Sequence, residues 1–300
     1  MVRMPAAQQH LLFETDLLRV VDYRCRGHDG VAEQAQEHEI VLPRSGSYLR
    51  RDASGRSVAD ANHVLFFHRG QTFDIQHPHP GGDRSTDFAL KGDAALELVR
   101  HFDPRVEDHS HRPFPVGGFT LRRPVTGLAL NRLTAAARSA PQQALLLEES
   151  ALLLLGSILR QGLGIGQGNG VGRGGESTAD HREAAARVKL LLRQELSHKL
   201  SLRELAGLAG YSPYHLCRLF KQQTGLSIHR YLQHLRLRES LDLLVEFPQR
   251  SVAEIAHGLG FASHSHFSTA FHGHFALSPR AFRQKTSGRT LQELRKILKD

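Results

Sequence analysis

The stretch GYSPYHLCRLFKQQTG, residues 210–225, carries the clearest helical pattern in the C-terminal part of the chain. Read as a helix, it places Leu216, Leu219 and Phe220 on one apolar stripe, at the i, i+3, i+4 spacing of a buried helix face. Ser212 followed by Pro213 is a typical helix start, so the helix is expected to begin there. Polar and charged side chains share the opposite face, namely those of Tyr214, Cys217, Arg218, Lys221 and Gln222.

The pattern around this stretch occurs twice. The segment SLRELAGLAGYS (201–212) aligns with SVAEIAHGLGFA (251–262) at an offset of 50 residues. Each copy begins with a Ser…Glu capping box and reaches a glycine followed by an aromatic residue. A second helix follows, capped by Ser212 in one copy and by Ser263 in the other. Helix, glycine turn and helix form the helix-turn-helix plan, so two copies joined by a helix from about Ser227 to Glu246 predict an all-α C-terminal part.

Charge and composition divide the chain into two parts. The formal net charge is +9, and residues 181–300 hold 19 Lys and Arg against 9 Asp and Glu, a net of +10. Residues 1–180 hold 20 against 21, a net of −1. Such a basic half predicts a polyanionic partner. Between the halves, residues 161–180 contain eight glycines from Gly162 to Gly175 and predict a flexible linker.

The outer face of the second helix in such a unit enters the major groove of double-stranded DNA, which is wide enough for one helix. Arg218 suits a bidentate contact to guanine, and Lys221 and Gln222 suit phosphate or adenine. Each residue alone is also compatible with a solvated helix face, but the repeat and the charge favour DNA. The candidate DNA-binding residues are Tyr214, His215, Cys217, Arg218, Lys221, Gln222, His264, Ser265, Ser268 and Thr269.

Residues 181–290 resemble the AraC/XylS family of bacterial transcription regulators. The resemblance is carried by LCRLFK (216–221) with Gly225, by Arg236-Leu237 and Leu243-Leu244, and by SVAEIAHGLGFASHSHFSTAF with LSPRAFR further on. It implies an activator or repressor whose two units read successive major-groove segments of a promoter, with RNA polymerase as a partner of an activator. The second helix carries Thr269 and His272 where the family usually has Arg and Lys. The first unit is therefore expected to dominate base recognition.

The N-terminal half reads as short strands punctuated by Gly, Pro and Asp. These are LRVVDYRC (18–25), HEIVLP (38–43), GSYLRR (46–51), HVLFFHRG (63–70) and FDIQHP (73–78). Their spacing predicts a small antiparallel barrel or sandwich, and the half is weakly similar to the cupin-like, effector-binding barrels of the same family. A small-molecule effector is the partner that this resemblance implies. The period becomes helical from about residue 128, and the Leu-rich segment up to residue 160 either covers the barrel or pairs with its copy in a homodimer.

A metal site deserves consideration because the chain has 20 histidines. His77 and His79 with Asp83, and the run Glu37-His38-Glu39, offer ligand types that suit a divalent metal. Their spacing fits no ligand template, and HPHPGGD reads as a loop, so no metal and no other cofactor is predicted. The chain also lacks a G-x-S-x-G elbow and a P-loop, which argues against an enzyme. The alternative is a cupin-type metal-dependent enzyme or a metal sensor fused to a DNA-binding module.

The sequence thus predicts an α+β protein of two domains, with an N-terminal cupin-like β-barrel and trailing helices before an all-α double helix-turn-helix. Residues 1–160 form the sensor or dimerisation domain (barrel about 10–120, helices about 128–160), 161–180 the linker, 181–290 the DNA-binding domain and 291–300 a basic tail. Phe66, Phe67 and Phe73 are expected in the barrel core rather than in a pocket. Glu148 and Glu149 interrupt the most apolar run, which is too short to span a membrane, so a cytoplasmic location without membrane contact is expected.

Overall fold

The computed structural model describes residues 7–27, 32–53, 55–78, 80–115, 119–163, 179–197 and 201–286. The strands are β1 (Ala7–Glu14), β2 (Leu18–Cys25), β3 (Ala32–Gln34), β4 (His38–Asp52), β5 (Gly55–Asp60), β6 (His63–Phe67), β7 (Thr72–Gln76), β8 (Asp83–Leu90) and β9 (Phe119–Leu121). The helices are α1 (Ala94–Arg100), α2 (Pro124–Ser139), α3 (Ala144–Gly162), α4 (Ala179–Gln194), α5 (Leu202–Ala209), α6 (Pro213–Thr224), α7 (Ile228–Glu246), α8 (Val252–Gly258), α9 (His264–Phe275) and α10 (Pro279–Thr286), with a 3-10 helix at Pro104–His109. His79, residues 164–178 of the predicted linker and the predicted tail 291–300 lie outside the described residues.

The N-terminal half is a bent antiparallel sheet built around β4. The first part of this 15-residue strand pairs with β8 and β6, and its second part pairs with β5 and β7. The sequence predicted two strands here, at 38–43 and 46–51. They are one strand because a β-bulge at Arg44 keeps the ladder with β8 running past the irregular residue. Gly46 of β4 packs closely against the backbone of Gly82, just before β8. Only glycine fits there, since a Cβ at position 46 would lie 2.3 Å from the Gly82 carbonyl oxygen.

Helices α2 and α3 pack on this sheet and confirm the helical reading of residues 128–160. Leu147, Leu154 and Leu155 of α3 are fully buried in a core shared with Phe66 and Phe88 of the sheet. The Leu-rich segment therefore covers its own half of the molecule. The sequence did not predict strands β1, β3, β5, β8 and β9, helix α1 or the 3-10 helix.

The C-terminal half is all-helical and contains the predicted repeat as α5–α6 and α8–α9, joined by α7. Leu216 and Phe220 of α6 and their counterparts Phe267 and Phe271 of α9 are completely buried. They meet Tyr231 of α7 in one hydrophobic core. None of the described helices has the length and apolarity needed to cross a membrane.

A buried polar interface, which the sequence did not reveal, joins the two halves along α7. Arg44 of β4 pairs with Asp242, and Arg84 of β8 pairs with Glu246. The Tyr231 hydroxyl donates to Asp60 Oδ2 at 2.5 Å. Because α7 also connects the two helix-turn-helix units, it contacts both parts of the molecule at once.

Candidate DNA-binding surface and ligand cavity

Short-range capping fixes the geometry of the first helix-turn-helix unit. Ser201 accepts from the Glu204 amide at 3.2 Å, and Glu204 Oε2 accepts in return from the Ser201 amide at 2.8 Å. Helix α5 ends at Gly210, whose φ of 78° lies in the left-handed region that favours glycine. Ser212 then caps α6 by accepting from the His215 amide at 3.3 Å. These local bonds set where the recognition helix starts and which face it turns outward.

All six candidate residues on α6 are exposed. Tyr214 has 80% of its surface accessible, and Cys217 is a free thiol. No hydrogen bond or ion pair to another described residue engages the Arg218 guanidinium, the Lys221 ammonium or the Gln222 amide. His215 differs, because its ring stacks on Tyr211 with centroids 5.0 Å apart and planes at 15°. The six candidates are Tyr214, His215, Cys217, Arg218, Lys221 and Gln222.

The second unit repeats the local structure with a weaker outer face. Ser251 and Glu254 form the capping box, and Ser263 caps α9 by accepting from the His266 amide at 3.1 Å. His264, Ser265 and Thr269 are exposed, whereas Ser268 is half-buried. The Ser268 hydroxyl lies 3.4 Å from His264 Nε2, one helical turn away. This face therefore offers short polar side chains where α6 offers a guanidinium and an ammonium.

Arg236 of α7 joins the turn of the second unit to the segment that follows α4. Its Nε donates to the Leu196 carbonyl at 2.7 Å, and its Nη1 donates to the Gly260 carbonyl at 3.0 Å. Gly260 lies in the turn between α8 and α9, while Leu196 follows α4. Arg236, which the sequence placed only in the connecting helix, thus positions the turn before α9.

A cavity of about 470 Å³ opens between the two parts of the bent sheet. The lining residues of β2, β7 and β8 occupy alternate positions along each strand, so they share one face of the sheet, and residues 33–37 line the cavity consecutively. Phe67 and Phe73, expected in the core, are buried and also line this cavity, whereas Phe66 lies in the main core. The chemically distinctive lining residues are Glu14, Arg19, Tyr23, Glu33, Glu37, Glu39, Tyr48, His77, Asp83, Asp87 and Lys91.

Carboxyl groups dominate the electrostatics of the cavity. Burial, with Glu33 and Glu37 nearby, raises the pKa of Glu39 to about 7. Burial raises the pKa of Asp87 far more than the Ser85 hydroxyl lowers it. The sequence did not lead us to this wall, although the alternating polar residues at positions 83, 85 and 87, on one face of β8, were a signal that could have located it.

Two of the candidate metal ligands, His77 and Asp83, are in contact, and the third ligand-type residue beside them is Cys25. His77 Nε2 lies 2.6 Å from Asp83 Oδ1, and ligand atoms of Cys25, His77 and Asp83 lie within 4.8 Å of one another. All three side chains are buried. His38, of the second candidate group, packs its ring instead on Phe114 with centroids 5.8 Å apart. The sequence did not indicate Cys25 as a candidate metal ligand, because it is distant along the chain from the HPHPGGD loop.

Known proteins match mainly the C-terminal part. Residues 205–285 match a family described as a helix-turn-helix domain. The Msm operon regulatory protein of Streptococcus mutans is 31% identical over 110 residues, which cover 37% of this chain and 39% of that protein. The HTH-type transcriptional activator RhaS of Shigella boydii is 48% identical over 73 residues, or 24% of this chain and 26% of that protein. The matched segments thus span less than half of these relatives.

A solved structure is similar over more of the chain. ToxT from Vibrio cholerae aligns over 89% of this chain and 98% of its own, with 13% sequence identity and a TM-score of 0.34.

Proposed function

We propose that this chain is a sequence-specific DNA-binding regulator of transcription. The proposal starts from its C-terminal part, which is of the AraC-type helix-turn-helix kind. The observation that best supports this function is the composition of the outer face of α6. It presents Arg218, Lys221 and Gln222 to solvent without a partner among the described residues, on a helix capped at both ends. A rigid helix with free donors on one face is what major-groove recognition requires.

The proposed DNA contacts are unequal between the two units. Helix α6 supplies a guanidinium for guanine and an ammonium for phosphate, whereas α9 supplies imidazole and hydroxyl groups. The connecting helix α7 has 19 residues and is about 28 Å long at ~1.5 Å per residue. One turn of DNA measures ~34 Å, so two recognition helices at the ends of α7 suit successive major-groove segments on one face of the duplex.

Footprinting of the full chain tests this function. The DNA would be the region upstream of its own gene and of the neighbouring genes, with nonspecific competitor, at two salt concentrations. A protected stretch of about two helical turns that survives competitor at the higher salt is expected. Uniform binding that disappears with salt and leaves no footprint would mean that only phosphate contacts operate, and would contradict sequence-specific recognition.

We further propose that residues 1–160 form a cupin-like sensor, residues 161–180 a linker, residues 181–290 the DNA-binding domain and 291–300 a basic tail. The bent sheet with its cavity supports the sensor, and the contacts of α7 with β4 and β8 supply a route from sensor to DNA-binding units. As an activator the protein would contact RNA polymerase, and as a homodimer it would place four recognition helices on one promoter. A change of transcription from a footprinted promoter, with and without effector, distinguishes activator from repressor.

A metal sensor is the second candidate for the N-terminal part. It rests on the buried thiol, imidazole and carboxylate of Cys25, His77 and Asp83, which are ligand types that Zn²⁺ accepts. Titration of the full chain with Zn²⁺, alongside Cys25→Ser, tests it. Tight binding by the wild type that the variant loses would support a sensor, whereas equal weak binding by both would exclude this site.

A further inference from the structure

We infer that the cavity of the N-terminal half binds a small organic cation, an amine or a quaternary ammonium compound. This inference rests on the proposed effector-sensing function and names the chemical class of the effector. Its basis is the set of groups that face the cavity without a partner in the described part of the chain, above all the Tyr48 hydroxyl and the carboxyl groups of Glu33 and Glu39.

The cavity wall holds more carboxyl groups than the protein neutralises. Three are paired: Glu14 with Lys91 at 2.8 Å, Asp83 with His77 at 2.6 Å, and Glu37 with Arg69. Three others line the same cavity and lack an ion pair among the described residues, and Arg19 is the remaining cationic side chain in the lining. These three are Glu33, Glu39 and Asp87. These three residues are half-buried, and carboxyl groups in excess of cations are costly to ionise at such a site, so a bound cation would relieve that cost.

Tyr48 provides an independent sign that a ligand completes the site. Its side chain is 97% buried, with a relative exposure of 3%, and it lines the cavity. Its hydroxyl has no hydrogen-bond partner in the part of the chain that the structure describes. On the same cavity wall, Glu33 Oε1 is a buried atom without a hydrogen-bond partner among the described residues, and leaving such an atom unpaired costs free energy. A ligand N–H or hydroxyl group would supply the missing partner.

Aromatic rings accompany the carboxyl groups. Phe67 and Phe73 line the cavity with their centroids 4.6 Å apart, and Tyr23 adds a third ring. The face of an aromatic ring attracts ammonium groups, particularly where water is excluded. Phe67 already contacts one cation in this way, since the Arg50 guanidinium lies 4.4 Å from the centroid of the Phe67 ring. Carboxylates beside aromatic faces favour an organic cation over an anion.

The spacing of the carboxyl groups favours a molecule over a bare metal ion. Among the described residues, the one group of three ligand atoms within 4.8 Å of each other is that of Cys25, His77 and Asp83. The oxygens of Glu33, Glu39 and Asp87 are therefore too far apart to hold one ion together. The cavity of about 470 Å³ lies in the ~300–1,000 Å³ range of small-molecule sites.

The groups around Glu39 also predict how binding depends on pH. Glu33, Glu37 and Asp87 disfavour its charge, while Arg19 favours it. Because the pKa of Glu39 is raised to about 7, part of the free protein carries this group protonated at neutral pH. A cation binds the ionised form, so its affinity should rise between pH 6 and pH 8, with release of protons.

Calorimetric titration of the full chain at pH 6 and pH 8 tests the inference. The probes are choline, putrescine and spermidine as cations, L-arabinose as a neutral polyol, acetate as an anion and Zn²⁺ as a metal. We expect at least one amine to bind, more tightly at pH 8. Glu39→Gln should weaken that binding tenfold or more and Tyr48→Phe severalfold, whereas the matched control Glu97→Gln, on the exposed side of α1, should leave it unchanged.

Binding of arabinose or acetate without any amine would overturn the inference, as would amine binding that Glu39→Gln leaves intact or no amine binding at all. If Glu39→Gln fails to fold by circular dichroism, Tyr48→Phe decides the same question. A footprint on DNA with the same preparation separates the two proposals. A chain that footprints but binds no amine loses only the ligand class, and a chain that binds an amine but yields no footprint loses only the DNA-binding function.

Discussion

Arg44 of β4 and Asp242 of α7 form a buried ion pair, with Arg44 Nε 3.0 Å from Asp242 Oδ2 and 3.1 Å from Oδ1. The same guanidinium donates to Asn131 Oδ1 at 2.8 Å and to the Thr134 hydroxyl at 3.1 Å, both on α2. Arg44 is the extra residue of the bulge in β4, and bulges often redirect a side chain. This one irregular residue of the sheet thereby joins the N-terminal half, its covering helix α2 and the helix α7 that connects the two helix-turn-helix units.

Removal of Asp242 should destabilise the whole protein. Asp242→Ala leaves the Arg44 guanidinium buried without its counter-charge, which typically costs about 3–5 kcal/mol. We expect the thermal midpoint to fall markedly, while the control Asp93→Ala, an exposed aspartate before α1, should change it little. Calorimetry of both variants checks the difference. Equal midpoints would mean that the ion pair does not hold the two halves together.

The two turns of the repeat should respond differently to the same substitution. Gly210 and Gly260 both adopt a left-handed backbone, with φ of 78° and 76°, so alanine at either should cost about 1–2 kcal/mol. A Cβ on Gly210 would meet nothing within 4 Å, whereas one on Gly260 would lie 2.6 Å from the Ser197 carbonyl oxygen. Gly260→Ala should therefore lower the free energy of unfolding more than Gly210→Ala does. Denaturant unfolding measures both, and the opposite ranking would contradict the packing described here.

Acid should destabilise the second helix-turn-helix unit through His274. Burial, aided by Arg238 and by His234 (centroids 4.4 Å apart), lowers the pKa of His274 to about 3. The unfolded chain therefore binds a proton at this site below pH 6.5 and the folded chain does not, until pH approaches 3. The free energy of unfolding must fall as pH drops through this window.

Replacement of His274 isolates its share of that acid sensitivity. In His274→Phe the free energy of unfolding should decline less between pH 6.5 and pH 4 than in the wild type. His272→Phe is the matched control, because His272 lies exposed on the same helix. Urea unfolding at pH 6.5, 5 and 4 would reveal the difference. A decline as steep in His274→Phe as in the wild type would exclude this role.

The C-terminal half could be predicted from sequence because its determinants are local. Capping boxes at Ser201 and Ser251, the glycine turns and the apolar spacing of Leu216 and Phe220 all act within a few residues, and the structure contains each of them. The resemblance to AraC-type regulators is confirmed for this part by the matching relatives. The proposed DNA contacts themselves remain predictions.

The N-terminal half could be predicted only in outline because its determinants are distant along the chain. Strand β2 was located at its observed bounds, Leu18–Cys25, but the β4 bulge depends on pairing with β8, more than thirty residues later. Likewise Asp242 reads as an ordinary polar residue of a helix until Arg44, 198 residues away, is placed beside it. The cavity depends on which faces of five or more strands converge, which no local pattern reports.

DNA binding by three variants of the full chain tests whether α6 is the helix that reads the sequence. On the footprinted site, Arg218→Ala should lose about 1–3 kcal/mol of specific binding, roughly 5- to 150-fold, because it removes the guanidinium of α6 that we propose contacts guanine. Thr269→Ala on α9 should lose much less, and Arg203→Ala, on the bracing helix α5, should cause a smaller loss that is the same for all sequences. Competition titrations with specific and scrambled DNA measure these losses. If instead Thr269→Ala costs more than Arg218→Ala, or Arg218→Ala weakens specific and scrambled DNA alike, then α6 is not the helix that reads the sequence.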